Sequence, residues 1–219
     1  GMNKHCIAVF LGVFIIAKAW AIHPDITMVS TSEVDIPMVA LTFDDGPHKV
    51  YTPKLLDGLK KRNVRATYFV LGESVEQNPD LIKRMSKEGH LIGSHTYSHV
   101  QLTKLSIEEA EEEIHRANQS IYEACSQYPK FVRPPYGSWN KTLEEKTDMN
   151  AILWSVDPYD WKIQDKDRIV KEVLENVEDS SIILLHDIYE TSVDAALEIV
   201  DELKKQGYLF ATIEELQID

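Results

Sequence analysis

The chain has 219 residues and a mass of 25.1 kDa, enough for a single domain with a substantial core. Hydrophobic residues make up 43% and charged residues 27% of the sequence, which is typical of a soluble globular protein. A formal net charge of −13 and a pI near 5.0 argue against nucleic acids and anionic membrane surfaces as partners.

The N-terminal segment has the layout of a secretory signal peptide. Lys4 precedes an apolar run over residues 6–17, and Ala19 and Ala21 then form a small-x-small cleavage pattern. The run is short for a membrane-spanning helix. Two alternatives remain open: an uncleaved membrane anchor, and an apolar segment that packs on the domain.

The sequence therefore divides into a processing segment, residues 1–21, and one domain, residues 22–219. Gly1 is interpreted as a cloning remnant. We expect the mature protein to be secreted, and to lie at the cell surface or in the cell wall. Because Cys6 falls inside the signal segment, the mature chain would keep Cys125 alone and form no internal disulfide. A monomer is assumed.

Short apolar runs after residue 37 predict buried strands. They are Met38–Phe43, Ala66–Val70, Leu91–Gly93, Phe131–Arg133, Ala151–Val156, Ser181–Leu185 and Leu209–Thr212.

Helical patterns separate these runs. The clearest have apolar residues spaced by threes and fours. The helices are predicted over Pro53–Lys61, Pro79–Lys87, Ile107–Ala124, Asp167–Asn176 and Val193–Gln206. Ser106 and Glu109 form a capping box before the third.

This alternation predicts an α/β fold, with a parallel sheet and helices outside it. About seven units in one domain fit a closed or nearly closed (β/α)7 barrel, similar to a TIM barrel. A doubly wound open sheet is the alternative. In either fold, the functional site belongs at the carboxyl ends of the strands.

Polar clusters follow several predicted strands at that end. They are Asp44-Asp45, the "SHTYSH" segment from Ser94 to His99, "RPPYG" from Arg133 to Gly137, "DPYDW" from Asp157 to Trp161, and "LLHD" from Leu184 to Asp187.

A metal site is the first chemistry that these clusters suggest. His95 and His99 are four residues apart, which puts both rings on one face if their loop has a helical turn. Asp45 can supply a third ligand, and two His nitrogens with one carboxylate make an open catalytic zinc site. A cation there would also relieve the repulsion between Asp45 and its neighbour Asp44.

Three further residues suggest acid–base chemistry. Arg133 at the barrel mouth is expected to pair with a nearby acid. His186 emerges from the apolar run "SIILL" into the mouth, where an imidazole suits proton transfer. Asp160, taken alone, favours a helix cap beside a core aromatic residue.

The five clusters, in this order, resemble those of the NodB-homology polysaccharide deacetylases, carbohydrate esterase family four. The resemblance covers about Val39 to Leu216. It implies a distorted (β/α) barrel that binds a divalent metal and removes acetyl groups from sugars. Zinc is the expected ion, with cobalt, manganese or nickel as substitutes.

The resemblance also implies a role for each matched residue. Asp44 resembles the catalytic base and Arg133 the residue that holds it. Tyr136 resembles the residue whose backbone N–H helps to bind the oxyanion. His186 resembles the general acid and Asp160 the partner that tunes it.

The remaining positions concern the metal and the substrate. The metal ligands by this resemblance are Asp45, His95 and His99. Residues that would line the pocket for the acetyl methyl group are Trp161, Leu184 and Pro135.

We therefore expect a secreted, metal-dependent enzyme that deacetylates N-acetylglucosamine in chitin, its oligosaccharides or peptidoglycan; acetylated xylan is a weaker candidate. No nucleic-acid partner is expected, and contact with a membrane is expected only through an uncleaved N-terminal segment. Two other classes remain. A glycoside hydrolase would need carboxyls about 5–5.5 Å apart across the scissile bond, which two adjacent aspartates suit poorly. The main alternative is an inactive relative that binds cell-wall glycan.

Overall fold

The structure, a computed structural model, describes residues 35–216 and contains the seven predicted strands. The strands are β1 (Met38–Asp44), β2 (Thr67–Val70), β3 (Leu91–Ser94), β4 (Phe131–Val132), β5 (Asn150–Ala151), β6 (Ile182–His186) and β7 (Leu209–Phe210). All neighbouring pairs are parallel. The predicted signal segment, the predicted domain boundary at residue 22 and Cys6 lie outside the described residues.

The seven parallel strands form a sheet whose edges approach each other as in a barrel, which confirms the predicted distorted (β/α)7 fold. Its strands are arranged β5-β4-β3-β2-β1-β6, with β7 on the first two residues of β1. An isolated parallel bridge joins Val156, just after β5, to Ile183 in β6 and so draws the two edges together. The doubly wound alternative is wrong, because this bridge joins the chain after β5 to β6, where an open sheet would leave those two edges apart.

The strands form where apolar residues are buried on both faces of the sheet. In β1, every residue from Val39 to Asp44 is buried. Such a run suits a parallel sheet that is covered by helices. The strand β1 has neighbours on both edges, so the end of this strand lies in the middle of the barrel mouth.

The five predicted helices are present, together with four short ones that the sequence did not indicate. The predicted helices are α1 (Tyr51–Lys61), α3 (Pro79–Lys87), α4 (Ile107–Cys125), α7 (Lys166–Asn176) and α8 (Glu190–Lys205). The short ones are α2 (Gly72–Gln77), α5 (Lys141–Lys146), α6 (Asp160–Ile163) and α9 (Ile213–Leu216). The Ser106–Glu109 capping box at the start of α4 is confirmed.

The fifth strand was predicted too long. Pairing with β4 stops at Ala151, and the chain then crosses towards β6, where Ser155 and Val156 both donate to the carbonyl of Ile182. The last strand is also shorter than predicted and ends at Phe210. Of the two cysteines, Cys125 lies in the described part and is free. No helix over residues 35–216 is long and apolar enough to cross a membrane.

Candidate active site

The two adjacent aspartates diverge because the chain leaves the sheet between them. Asp44 is the last residue of β1 and is 3% exposed, whereas Asp45 has a left-handed backbone with φ of 74°. This backbone turn, and not the alternation of an extended strand, points the two carboxylates in different directions. Directly beyond it, a Cβ at Gly46 would overlap the carboxylate of Asp187, so only glycine fits there.

The three predicted metal ligands converge. The Oδ1 atom of Asp45 lies 3.3 Å from Nε2 of His95 and 3.4 Å from Nε2 of His99. The helical turn that the i, i+4 spacing suggested is absent. Instead, Thr96 and His99 have left-handed backbones, with φ of 69° and 60°, and the hydroxyl of Thr96 accepts a hydrogen bond from the amide of His99.

The triad fits a divalent cation. One ligand atom from each of its three residues lies within 4.8 Å of the others, and the buried Oδ1 of Asp45 has no hydrogen-bond partner. Ligands about 2.0–2.2 Å from a tetrahedral zinc ion lie about 3.4 Å apart, close to the two distances from Asp45 Oδ1 to the histidine nitrogens. The Nδ1 of His95 donates to the carbonyl of Arg133 at 2.6 Å, which leaves its Nε2 lone pair for a metal.

The charges of the triad also suit a cation. Burial raises the pKa of Asp45, but the close contact and charge of His95, together with the charges of His186 and His99, outweigh it and lower the pKa. The carboxylate therefore stays ionised, which is the form that binds a metal.

Asp44 is held by a fully buried guanidinium. Arg133 donates from Nη1 to Oδ1 of Asp44 at 2.9 Å and to the hydroxyl of Thr42 at 2.7 Å. Its other nitrogens donate to the carbonyls of Ile152 and Leu153. Because this fork is engaged on three sides, it fixes the orientation of the Asp44 carboxylate.

His186 is held in turn by a fully buried carboxylate. Its Nδ1 lies 2.8 Å from Oδ1 of Asp160, whose Oδ2 accepts from the His186 amide and the Ser192 hydroxyl. Burial lowers the pKa of His186, but hydrogen bonding and charge interaction with Asp160 outweigh it and raise the pKa to about 9. The imidazolium form therefore predominates at neutral pH, with Nε2 4.0 Å from Oδ2 of Asp45.

These groups surround one cavity of about 390 Å³. It is lined by Asp44, Asp45, His95, His99, Pro134, Tyr136, Trp154, Asp157, Trp161, Leu184, His186 and Tyr189.

The predicted pocket residues are partly correct. Trp161 and Leu184 line the cavity, but Pro135 does not; it is buried, and its neighbour Pro134 lines the wall instead. A turn of 3₁₀ helix starts at Pro135. Tyr136 has φ of 63°, is 69% exposed, and packs its ring edge against His99.

Besides Pro134, four residues near the site were missed. Trp154, Asp157 and Tyr189 line the cavity, and burial raises the pKa of Asp157. The fully buried Asp187 accepts a hydrogen bond from Thr52 at 2.5 Å, and burial raises its pKa to about 7. Asp157 and Asp187 stand in quoted clusters, so their position could have singled them out.

The cavity thus contains a candidate metal triad, the Asp44 carboxylate and the His186 imidazole, at the mouth of a (β/α) barrel. Such a site can take a proton from a nucleophile and give one to a leaving group. The polysaccharide deacetylase family model matches residues 31–152. The chain belongs to this family, carbohydrate esterase family four, as the resemblance predicted.

Characterised relatives are similar over most of the chain. A peptidoglycan N-acetylglucosamine deacetylase, PgdA of Listeria monocytogenes, is 46% identical over 81% of this chain. A peptidoglycan N-acetylmuramic acid deacetylase, PdaC of Bacillus subtilis, is 47% identical over 82%. The chain spans 38% of the length of each. The solved structure of the PdaC deacetylase matches 84% of this chain and 91% of its own, with 44% identity and a TM-score of 0.82.

Proposed function

We propose that the chain is a metal-dependent peptidoglycan deacetylase, which removes the acetyl group of an N-acetylated sugar as acetate. The observation that carries the proposal is the placement of Asp44 and His186 around one cavity, beside the triad. The names of the relatives support peptidoglycan over chitin as the substrate.

The metal would be held by Asp45, His95 and His99, as the sequence predicted. When bound there, a divalent ion such as zinc supplies Lewis acidity, which polarises a carbonyl and lowers the pKa of water. Cobalt, manganese and nickel are the proposed substitutes.

Asp44 is proposed as the general base. Arg133 occupies its Oδ1, and its Oδ2 lies 3.8 Å from Nε2 of His95, next to the triad. Asp44 takes a proton from a water molecule as the water oxygen attacks the acetamide carbon. The backbone N–H of Tyr136 is proposed to stabilise the resulting oxyanion, an interaction that is typically worth about 3–4 kcal/mol.

His186 is proposed as the general acid. Breaking the carbon–nitrogen bond expels an amine, which leaves poorly unless it is protonated. His186 delivers that proton from Nε2, and Asp160 keeps the imidazolium form available. The products are acetate and a free amine. The apolar walls formed by Trp161 and Leu184 are proposed to receive the acetyl methyl group.

Acetate release from peptidoglycan tests the proposal. Chelator-stripped protein is compared with the same sample reloaded with zinc or cobalt, and chitin oligosaccharides serve as a second substrate. Acetate is expected only after reloading. The variant His99→Ala is expected to lose both metal and activity, whereas Asp44→Asn keeps the metal and loses turnover.

Other outcomes would overturn the proposal in distinguishable ways. Chain shortening without acetate would indicate a glycoside hydrolase. Tight glycan binding by metal-loaded protein, with no acetate from either polymer, would indicate an inactive binding protein. Mass spectrometry of the products shows whether glucosamine or muramic acid carries the new amine.

Export is part of the same proposal. Residues 1–21 would be removed, and the domain would act in the cell wall, where its polymer lies. N-terminal sequencing of protein recovered from culture medium or the wall fraction is expected to begin at Ile22. A chain that keeps its apolar segment would favour the anchored alternative.

A further inference from the structure

One carboxylate reaches from a helix to the loop between the two triad histidines. Glu113 lies in the middle of α4, and its Oε2 accepts hydrogen bonds from the amides of Tyr97 at 3.2 Å and Ser98 at 3.0 Å. Its Oε1 accepts from the hydroxyl of Ser98 at 2.9 Å. A single side chain therefore engages the loop at three points.

This loop has a backbone that needs outside support. Thr96 and His99 both adopt left-handed conformations, which L-residues other than glycine rarely populate. No helix runs through the loop. Conformations of this kind persist where surrounding contacts determine them.

The contacts of the loop are divided between two helices. Its carbonyls at Thr96 and Tyr97 accept hydrogen bonds from the first amides of α2, at 3.0 and 3.2 Å. Its amides at Tyr97 and Ser98 donate to Glu113, and within residues 35–216 they have no other partner. Removing Glu113 therefore leaves these two amides and the Ser98 hydroxyl without their partner.

We propose that Glu113 is a positioning residue of the metal centre, which sets metal affinity by fixing the loop that carries His99. The proposal rests on the proposed function, because it assumes that the triad binds a metal. Glu113 contributes no ligand atom. It acts through backbone amides. Its effect should therefore depend on where its acceptor oxygens lie and not on its negative charge.

Two substitutions separate shape from charge. Glu113→Ala removes all three contacts and is expected to weaken metal binding about 10–100-fold, as loss of an outer partner of a metal ligand typically does. Glu113→Gln keeps one acceptor oxygen for both amides and places an N–H₂ beside the Ser98 hydroxyl, which can accept as well as donate. It is expected to bind metal within about threefold of the unsubstituted protein. Glu112→Ala, one residue earlier and exposed, is the matched control.

The experiment is a cobalt titration of the full chain, followed by visible absorption, with zinc affinity measured by competition. Circular dichroism and the thermal midpoint of the metal-free proteins verify folding. Should Glu113→Ala fail to fold, Glu113→Asp carries the test, because its carboxylate is one methylene too short to keep all three contacts. It too is expected to bind cobalt more weakly.

The outcomes are distinguishable. Weak binding by the Ala or Asp variant, with Gln and the control unaffected, supports the positioning role. Unchanged cobalt affinity in the Ala and Asp variants overturns it and leaves the proposed function standing. A Gln variant as weak as Ala overturns it as well, because charge would then be the cause. Failure of the unsubstituted protein to bind either metal overturns both proposals.

Discussion

Two histidines at opposite ends of the barrel, one buried and the other mostly buried, have opposite pKa shifts. His90 precedes β3 at the amino end, where burial, the largest influence, lowers its pKa to about 4. His186 ends β6 at the mouth, and its pKa rises to about 9. Burial acts on both in the same direction, against the charged ring.

The two rings differ in the partner of Nδ1. At His90 this atom accepts from the amide of Ala66 at 3.0 Å, so protonation would break the bond. At His186 it faces the fully buried carboxylate of Asp160, which favours the imidazolium. The partner of Nδ1 thus decides which charge state each histidine favours, and sequence position alone does not reveal that partner.

The largest effect is expected from a substitution of the proposed general base at the barrel mouth. Asp44→Asn should lower the turnover number for acetate release about 10²–10⁴-fold, the usual contribution of a general base. Bound metal should be unchanged. His90→Gln, at the other end, should keep the turnover number per folded molecule. The turnover numbers are measured at pH 8 with metal content verified. Equal losses of turnover in both variants would contradict the conclusion that only the mouth end takes part in the reaction.

A stability measurement extends the comparison to ion pairs. Arg133→Met leaves the Asp44 carboxylate buried without its partner and should lower the free energy of unfolding by about 3–5 kcal/mol. Arg62→Met breaks a partly exposed pair with Asp201 and should cost about 1 kcal/mol or less. Urea unfolding of both variants measures the difference. Similar midpoints would show that the buried pair contributes no more to stability than the partly exposed pair.

The neutral state of His90 predicts how stability depends on pH. The folded pKa, about 4, lies below the ordinary value of 6.5, so above pH 6.5 the ring is neutral in both states. As pH falls from 6.5 to 4, the unfolded chain takes up the proton first, and about 3 kcal/mol of stability is lost. His90→Gln should flatten this part of the curve in urea unfolding. An unaltered slope would mean that His90 is not the group responsible.

The smallest effect is expected from a substitution that removes the feature by which His186 differs from His90, its carboxylate partner. Asp160→Asn removes the carboxylate that raises the pKa of His186, which should return towards 6.5. At pH 8 the protonated fraction, and with it kcat/KM for acetate release, should fall about 30-fold. At pH 6 the ring would be mostly protonated in both proteins, so the loss should be less than about twofold. Profiles that fall in parallel at all pH values would show that Asp160 acts only on orientation.

Much of the barrel could be predicted because its signals are local. Apolar runs in β1 and β6 and the periodicity of α4 are properties of consecutive residues, and polar residues at strand ends meet at one edge. Local patterns could not predict where β5 ends, because the whole sequence from Ala151 to Val156 is apolar enough for a strand. Pairing stops there because the chain crosses to β6.

The finer geometry of the site depends on contacts distant in sequence. The spacing of His95 and His99 fits a helical turn, yet left-handed residues bring the rings together. Glu113 occupies a polar position of an amphipathic helix, where a carboxylate ordinarily faces solvent. Its contact with Ser98 exists because α4 packs beside the loop. No sequence pattern within the helix or the loop predicts this packing.

The position of β1 affects how the protein would lose its activity on unfolding. This strand carries Asp44 and is paired with β2, β6 and β7, so it has partners along both edges. Strands of this kind exchange their amide hydrogens only when the whole domain opens. The proposed base therefore cannot be displaced by fraying of an edge. Its geometry should persist until global unfolding and should return with the first complete refolding of the sheet.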